Sequence, residues 1–391
     1  MTPERRIPAG VWALGMVSLF MDLSSELIHA LLPVYLVTIL GTSMITVGVI
    51  EGIAEATASI TKVFSGALSD RLGRRKELVV LGYGLAAITK PVFALATTVN
   101  WIVAARFVDR IGKGIRGAPR DALIADLSPE AVRGASFGLR QSLDTMGAFL
   151  GPLLAIALMW LTSDDIRLVF AFAAVPAFIA VGLLIVGVRE PAHGTRSRDA
   201  RVPLSLQELR GLGKAFHRLT AFALLFSLAR FSEAFLILKA DASGLPLSLV
   251  PAVLVVMNLA YAAAAYPAGA LSDRVGRIGT LAVGLALLIA AHGVLAVSGG
   301  LSGVTLGVVL WGLHMAFTQS IVASLVADFV PAERRGTAYG IINLVTGLGL
   351  LSASLLAGAL WDAAGPSAPF LTGAGLALAC CLALPRLRQS S

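Results

Sequence analysis

Three ionisable side chains share one face of the first apolar stretch. Asp22, Glu26 and His29 are spaced i, i+4 and i+7, so in a helix they project together. Ionisable groups are costly inside an apolar segment and read as functional by default. Two carboxylates and an imidazole on one face make a candidate proton relay and, as a weaker alternative, a cation-ligating set. Burial of a carboxylate favours its neutral form, which makes Asp22 and Glu26 candidate proton sites. A cationic cluster, Arg106, Asp109, Arg110 and Lys113, falls within two turns of the fourth stretch. Arg110 is the expected partner that responds to charge at Asp22 or Glu26, with Arg106 one turn away as its competitor. Arg140 and Asp144 at i, i+4, and Arg230 and Glu233 at i, i+3, have the spacing of helical ion pairs; Asp144 and Glu233 are the next candidate proton carriers. Glu51, Glu55 and Lys62 form a stripe on the second stretch that reads as structural.

The second half of the chain carries less charge inside its apolar runs. It offers Asn258, Tyr261, Tyr266, His292, Trp311, His314, Gln319 and Asn343. Asn258, Tyr261, Trp311, His314, Gln319 and Asn343, together with Arg106, Arg140 and Arg230, are candidate walls of a substrate cavity. No nucleotide-binding glycine loop, zinc-spaced Cys/His set or nucleophile elbow is present, so neither an enzyme nor a cofactor is expected.

The elements that must position these groups follow from composition. Of 391 residues, 57% are hydrophobic and 14% charged, and the mean hydropathy is +0.84, more apolar surface than a soluble core hides. The net charge of +8 sits in turns between spans, where cytoplasmic loops concentrate Lys and Arg, and not in a nucleic-acid-binding patch. Cys380 and Cys381 are adjacent within the last apolar stretch and offer no disulfide framework. Arg5 and Arg6 precede an apolar run that holds Asp22 and Glu26 and lacks a small-residue cleavage site, so the run is a retained span. At roughly 20 residues per crossing, about twelve spans are expected: 11–39, 45–68, 78–97, 100–124, 134–160, 167–188, 216–239, 248–271, 280–298, 303–327, 337–360 and 368–385. Basic turns, among them Arg116 to Arg133, alternate with turns nearly free of Lys and Arg, which puts both termini in the cytoplasm. The polar stretch 189–215 divides residues 1–188 from 216–391 as a cytoplasmic linker. Its Leu204, Leu206, Leu209 and Leu212 fit either a surface-lying amphipathic helix or a flexible tether.

Gly66-Ala-Leu-Ser-Asp70-Arg71-Leu-Gly73-Arg74-Arg75-Lys76 makes a tight basic turn between two spans. Gly66 permits close helix approach and Gly73 a backbone bend. The pattern returns about 200 residues later as Gly269-Ala-Leu-Ser-Asp273-Arg274-Val-Gly276-Arg277, and a second echo relates Asp126-Leu-Ser-Pro129 to Asp328-Phe-Val-Pro331. Two similar halves in parallel orientation are one architecture of secondary transporters. The stretch G-x-L-x-D-R-x-G-R-R resembles the loop between helices two and three of the major facilitator superfamily, and the likeness covers nearly the whole chain. That resemblance implies an all-α membrane protein, two six-helix bundles, and a cytoplasmic gate in which Asp70, Arg74 and Asp126 form a charge network. Arg71, Asp273 and Arg274 belong to the same paired turns. Arg110-Ile-Gly112-Lys-Gly114 resembles the family's R-x-x-Q-G, with Lys113 in place of Gln, whose arginine is linked to proton transfer. Gly138, Gly147 and Gly151-Pro152, spaced G-x8-G-x3-G-P, resemble the motif of the exporter branches, although Ala155 and Ile156 stand where two further glycines belong. Glycines at this spacing let helices touch, and Pro152 bends the span.

The resemblance implies a monomeric bacterial inner-membrane exporter that couples outward movement of a small molecule to inward proton flow. Import of an organic anion, export of a metal ion through Asp22, Glu26 and His29, and a non-transporting receptor are the alternatives.

Overall fold

The structure, a computed structural model, describes residues 6–72, 74–129, 132–190, 212–330 and 335–388. Gly73, the side chains of Asp70, Arg71, Asp273 and Arg274, and residues 191–211 of the expected linker lie outside the described residues.

In lipid, each backbone N–H and C=O must be satisfied within its own segment, so apolar runs of this length become helices. The helices are α1 (Ala9–His29), α2 (Met44–Leu72), α3 (Arg75–Leu95), α4 (Val99–Leu127), α5 (Arg133–Leu161), α6 (Ile166–Gly187), α7 (Gly213–Leu228), α8 (Ala234–Ala242), α9 (Ala252–Val275), α10 (Arg277–Val297), α11 (Leu301–Phe329), α12 (Arg335–Ala364) and α13 (Ala368–Ala383). Among the described residues, ten helical segments are long and apolar enough to cross a membrane. The two expected spans outside that set have physical reasons. Helix α4 is full length but carries Arg106, Asp109, Arg110, Lys113, Arg116, Arg120 and Asp121. The seventh span, expected to be continuous over 216–239, is broken: α7 ends at Leu228, α8 begins at Ala234, and Arg230 to Glu233 lie in the break.

Two compact units form. One comprises Met1–Tyr35 with Thr57–Val202, the other Leu36–Ala56 with Pro203–Ser391. In the first, α1 packs on α5 and α6, and α3 on α4, around a core that includes Leu14, Val17, Met21, Val79, Tyr83, Leu123 and Leu184. In the second, α10 packs on α11 and α13, and α7 on α12, with Phe231, His292, Trp311 and Phe370 forming an aromatic core. The first turns of α2 also belong to this unit: a Cβ on Gly48 would stand 2.1 Å from the Ser354 carbonyl oxygen. The Asp362 carboxylate accepts from the N–H groups of Met44 (3.0 Å) and Ile45 (2.9 Å), filling two of the donors a helix start leaves open.

One turn expectation is corrected. Arg116 and Arg120 are not in a turn; they are buried within α4. Pro152 lies inside α5. Gly276, the counterpart of Gly73 in the repeat, takes φ +77° between α9 and α10, a backbone region that glycine enters without steric cost.

Candidate functional site

The site in the first unit begins with two glycines. A Cβ on Gly147 would stand 2.4 Å from the Leu19 carbonyl oxygen and 3.1 Å from the Cβ of Asp22, and one on Gly151 would stand 2.6 Å from the Cβ of Glu26. Absence of side chains there draws α5 onto α1 at the level of the acidic residues. One turn before Gly147 stands Asp144, and its carboxyl comes within hydrogen-bonding reach of the Asp22 carboxyl. Gly138, the first residue of the expected packing motif, has nothing within 4 Å of where its Cβ would be; it does not take part in the contact.

Cations surround the carboxyl pair. Arg140 donates from Nη2 to Asp144 Oδ2 at 3.0 Å, the i, i+4 pair expected from the sequence. Arg120 Nη1 lies 3.9 Å from Asp144 Oδ1 and donates to Ser18 Oγ at 3.4 Å and Tyr83 Oη at 3.5 Å. The Arg116 guanidinium sits 4.4 Å above the Tyr83 ring, a cation–π contact. Arg116 and Lys113 also act by charge on Asp22. Arg110 lies beside Asp109, Nε to Oδ2 at 3.6 Å.

A second buried group lies between α3 and α4. Lys90 Nζ donates to Asp109 Oδ1 at 2.9 Å, with both side chains at most 5% exposed, and to Ser25 Oγ at 3.2 Å. Arg106 Nη2 lies 3.1 Å from His29 Nδ1. The metal alternative is therefore not supported: Asp22 faces Asp144, His29 faces a guanidinium, and Glu26 packs at Gly151. Among the described residues, no group of three or more His, Cys, Asp or Glu side chains is placed to hold a metal ion.

The expected gate is partly rearranged. Arg75, not Arg74, meets Asp126, at 2.6 Å, while Arg74 pairs with Glu77 at 3.2 Å on the surface. Arg74 precedes α3 and Arg75 opens it, so the two side chains leave in different directions. Arg277, which aligns with Arg74 in the repeat, pairs in the second unit with Asp328, the counterpart of Asp126. A Cβ on Gly66 would stand 3.4 Å from that of Ala118, an ordinary contact.

In the second unit, a cavity of about 210 Å³ is lined by Arg230, Gln319 and Asn343 from the expected set, joined by Phe226, Tyr339 and Thr346. Arg230 and Glu233 are not an ion pair: the chain between them is not helical, and the Arg230 guanidinium lies 5.5 Å from the Phe226 ring centroid. Trp311 and His314 are not among the lining residues. Both are fully buried in the aromatic core, with His314 Nδ1 2.8 Å from the Gly284 carbonyl oxygen. Asn258 and Tyr261 are on α9, away from this cavity, and Tyr261 packs against Ala264, Ala268 and Ala316.

Sequence reasoning missed Ser18, Tyr83, Lys90, Arg116 and Arg120 as site residues. Signals existed for three of them. Lys90 interrupts an apolar run, and Arg116 and Arg120 are four residues apart, as are Arg106 and Arg110.

The model of the Major Facilitator Superfamily matches residues 14–252 and 219–390. An uncharacterized MFS-type transporter of Methanocaldococcus jannaschii is 31% identical over 387 residues, covering 96% of this chain and 94% of that protein. The quinolone resistance protein NorA of Staphylococcus aureus is 26% identical over 171 residues, 44% of this chain and 43% of that one. Among solved structures, the nucleoside transporter NupG superposes with a TM-score of 0.81 at 14% identity, covering 96% of this chain and 99% of that one.

Proposed function

The chain belongs to the Major Facilitator Superfamily, and from that premise we propose that it exports a small organic molecule across the cell's inner membrane in exchange for protons. The observation that carries the coupling is the Asp22–Asp144 contact between α1 and α5. A hydrogen bond between two carboxyls needs one proton. With the proton in place the pair is a single negative charge beside Arg140 and Arg120; once it leaves, two carboxylates repel across the contact while those guanidiniums compete for both. Proton binding and release therefore change the force between α1 and α5, the kind of bias that shifts a two-state equilibrium. Protonation from outside and release inside would drive one cycle of alternating access, with Arg75–Asp126 and Arg277–Asp328 parting and rejoining at the cytoplasmic turns. Glu26 and Glu233 stand as secondary candidates. The outward direction is supported by the exporter-type glycines and by the partial likeness to a quinolone resistance protein. The basic turns support a topology with both termini in the cytoplasm, and the reading takes the protein to act as a monomer.

The test is a toxicity panel in cells expressing the protein, with and without a protonophore. Protection against at least one compound is expected, lost on adding protonophore and lost in Asp22→Asn and Asp144→Asn. Sensitisation in place of protection makes the protein an importer. Protonophore-sensitive protection that survives in both variants removes the carboxyl pair from the coupling path.

A further inference from the structure

The second unit holds a cation at the edge of its cavity with no carboxylate against it. Arg230 stands in the break between α7 and α8. Its Nε is buried and has no hydrogen-bond partner, and its face lies over Phe226. Glu233, three residues on, acts on it by charge. The residues that line the cavity include Gln319, Tyr339, Asn343 and Thr346, all able to donate hydrogen bonds, and none is acidic. Phe226, Ile342 and Leu350 supply an apolar wall.

From these contacts we propose that the cargo is a small organic carboxylate, held by Arg230 with its apolar part against Phe226; the proposal rests on the transport reading above. A buried charge without a paired counter-charge is costly, and a planar guanidinium matches a carboxylate through two parallel hydrogen bonds. The lone cation suits a monoanion. A phosphate dianion would leave one charge unanswered by any lining side chain. The cavity is smaller than the ~300–1,000 Å³ of sites for drug-sized ligands, which fits a metabolite-sized molecule. The seventh span breaks here without Gly or Pro in the sequence Arg230-Phe-Ser-Glu233. Unwound backbone in transporter helices is tolerated where it lines a cavity.

The experiment uses the purified full chain and three matched probe pairs: benzoate, phenylacetate and 3-phenylpropanoate, each against its carboxamide, by thermal shift and titration calorimetry. At least one acid should bind while its amide does not. Arg230→Gln should weaken that acid about tenfold or more, the loss expected when a charge-assisted hydrogen bond is removed, and Arg230→Lys should recover part of it. Amides that bind as well as their acids, acids that all fail to bind, or an acid preference that survives Arg230→Gln would each overturn the assignment. The acid–amide comparison in the unaltered protein needs no variant, so it decides even if Arg230→Gln fails to fold. Binding is read without a proton gradient and should persist in Asp22→Asn. Acid binding with transport that is insensitive to protonophore in the unaltered protein would therefore sink the proton pathway alone, and protonophore-sensitive transport with no acid preference would sink the carboxylate site alone.

Discussion

Where α3 meets α4, the first unit buries Lys90 against Asp109 at 2.9 Å. Where α10 meets α11, about 200 residues later, the second unit buries His292 edge-on to Trp311, ring centroids 5.3 Å apart. The same substitution of charge by neutral groups recurs at the other close contact. Gly147 brings Asp22 to Asp144, whereas its counterpart Gly349 brings α12 to α7 at Ser227, with Thr346 in the place of Asp144. Helix contacts through glycine survive in both halves, but their chemistry has separated. The first half concentrates buried charges; the second keeps neutral polar groups around an open cavity that Arg230 lines. On the function proposed above, the first half would handle the ion and the second the cargo.

The largest contrast concerns the carboxyl pair. Asp22→Asn or Asp144→Asn should abolish gradient-driven transport, because each fixes one member of the pair in a neutral form that cannot release a proton. Ser227→Ala and Thr346→Val, at the matching places, should change cargo affinity and leave the pH dependence of transport intact. Transport by proteoliposomes across an imposed pH step separates the two results. A pH dependence altered equally by all four variants would dissolve the division.

A smaller difference is expected in stability. Lys90→Met leaves Asp109 buried beside Arg110 without its closest cation, and breaking a buried pair from one side costs about 3–5 kcal/mol. The double variant Lys90→Met/Asp109→Leu should recover most of that loss. His292→Phe removes only a hydrogen bond, Nε2 to the Ala229 carbonyl oxygen at 2.9 Å, worth about 1 kcal/mol. Thermal unfolding in detergent should rank Lys90→Met well below His292→Phe. An equal ranking would show that the ion pair contributes no more than that single hydrogen bond.

The glycines should give an effect of about 1–3 kcal/mol, the usual cost of overpacking. Gly147→Ala meets a backbone carbonyl at 2.4 Å, and Gly349→Ala meets the Cβ of Ser227 at 2.7 Å. The first should be the more damaging because a backbone atom yields only if α1 moves. Gly138→Ala, with open space at its Cβ, should be neutral or stabilise α5 by roughly 0.5–1 kcal/mol. A loss of folded protein in Gly138→Ala would restore that residue to the packing motif.

Much of the fold was legible in the sequence because apolar runs and basic turns are direct consequences of the bilayer. The broken seventh span was not, since no Gly or Pro marks Arg230 to Glu233 and only tertiary contacts open the helix there. Asp22 and Asp144 were each readable as charges in spans. Their pairing was not, because it depends on how closely α1 and α5 approach, a quantity set by Gly147 and Gly151. The partner of Asp126 was misassigned by one residue for a related reason: sequence cannot say where α3 begins, and helical direction changes by about 100° from one residue to the next. The charge density around Arg116 and Arg120 resembles that of a loop, yet α4 runs through both.

The smallest effect belongs to the two ion contacts near the repeated basic turns. Arg75 and Asp126 are 11% and 29% exposed, against 40% and 43% for Arg277 and Asp328. Exposed pairs contribute about 0–1 kcal/mol because water screens the attraction and ordering two long side chains opposes it. Salt screens them further, with a Debye length near 10 Å at 0.1 M and about 3 Å at 1 M. Arg277→Gln should therefore shift the unfolding temperature very little at any salt concentration. Arg75→Gln should lower it measurably, with a difference between the two variants that persists in 1 M NaCl because the Arg75 pair is mostly shielded from solvent. A gate needs contacts weak enough to break once per cycle, and the better-shielded pair is the one whose breaking should set the rate. Arg75→Gln is accordingly expected to alter the transport rate more than Arg277→Gln, and the same rate change in both would mean that the two turns act as equal latches despite their different burial.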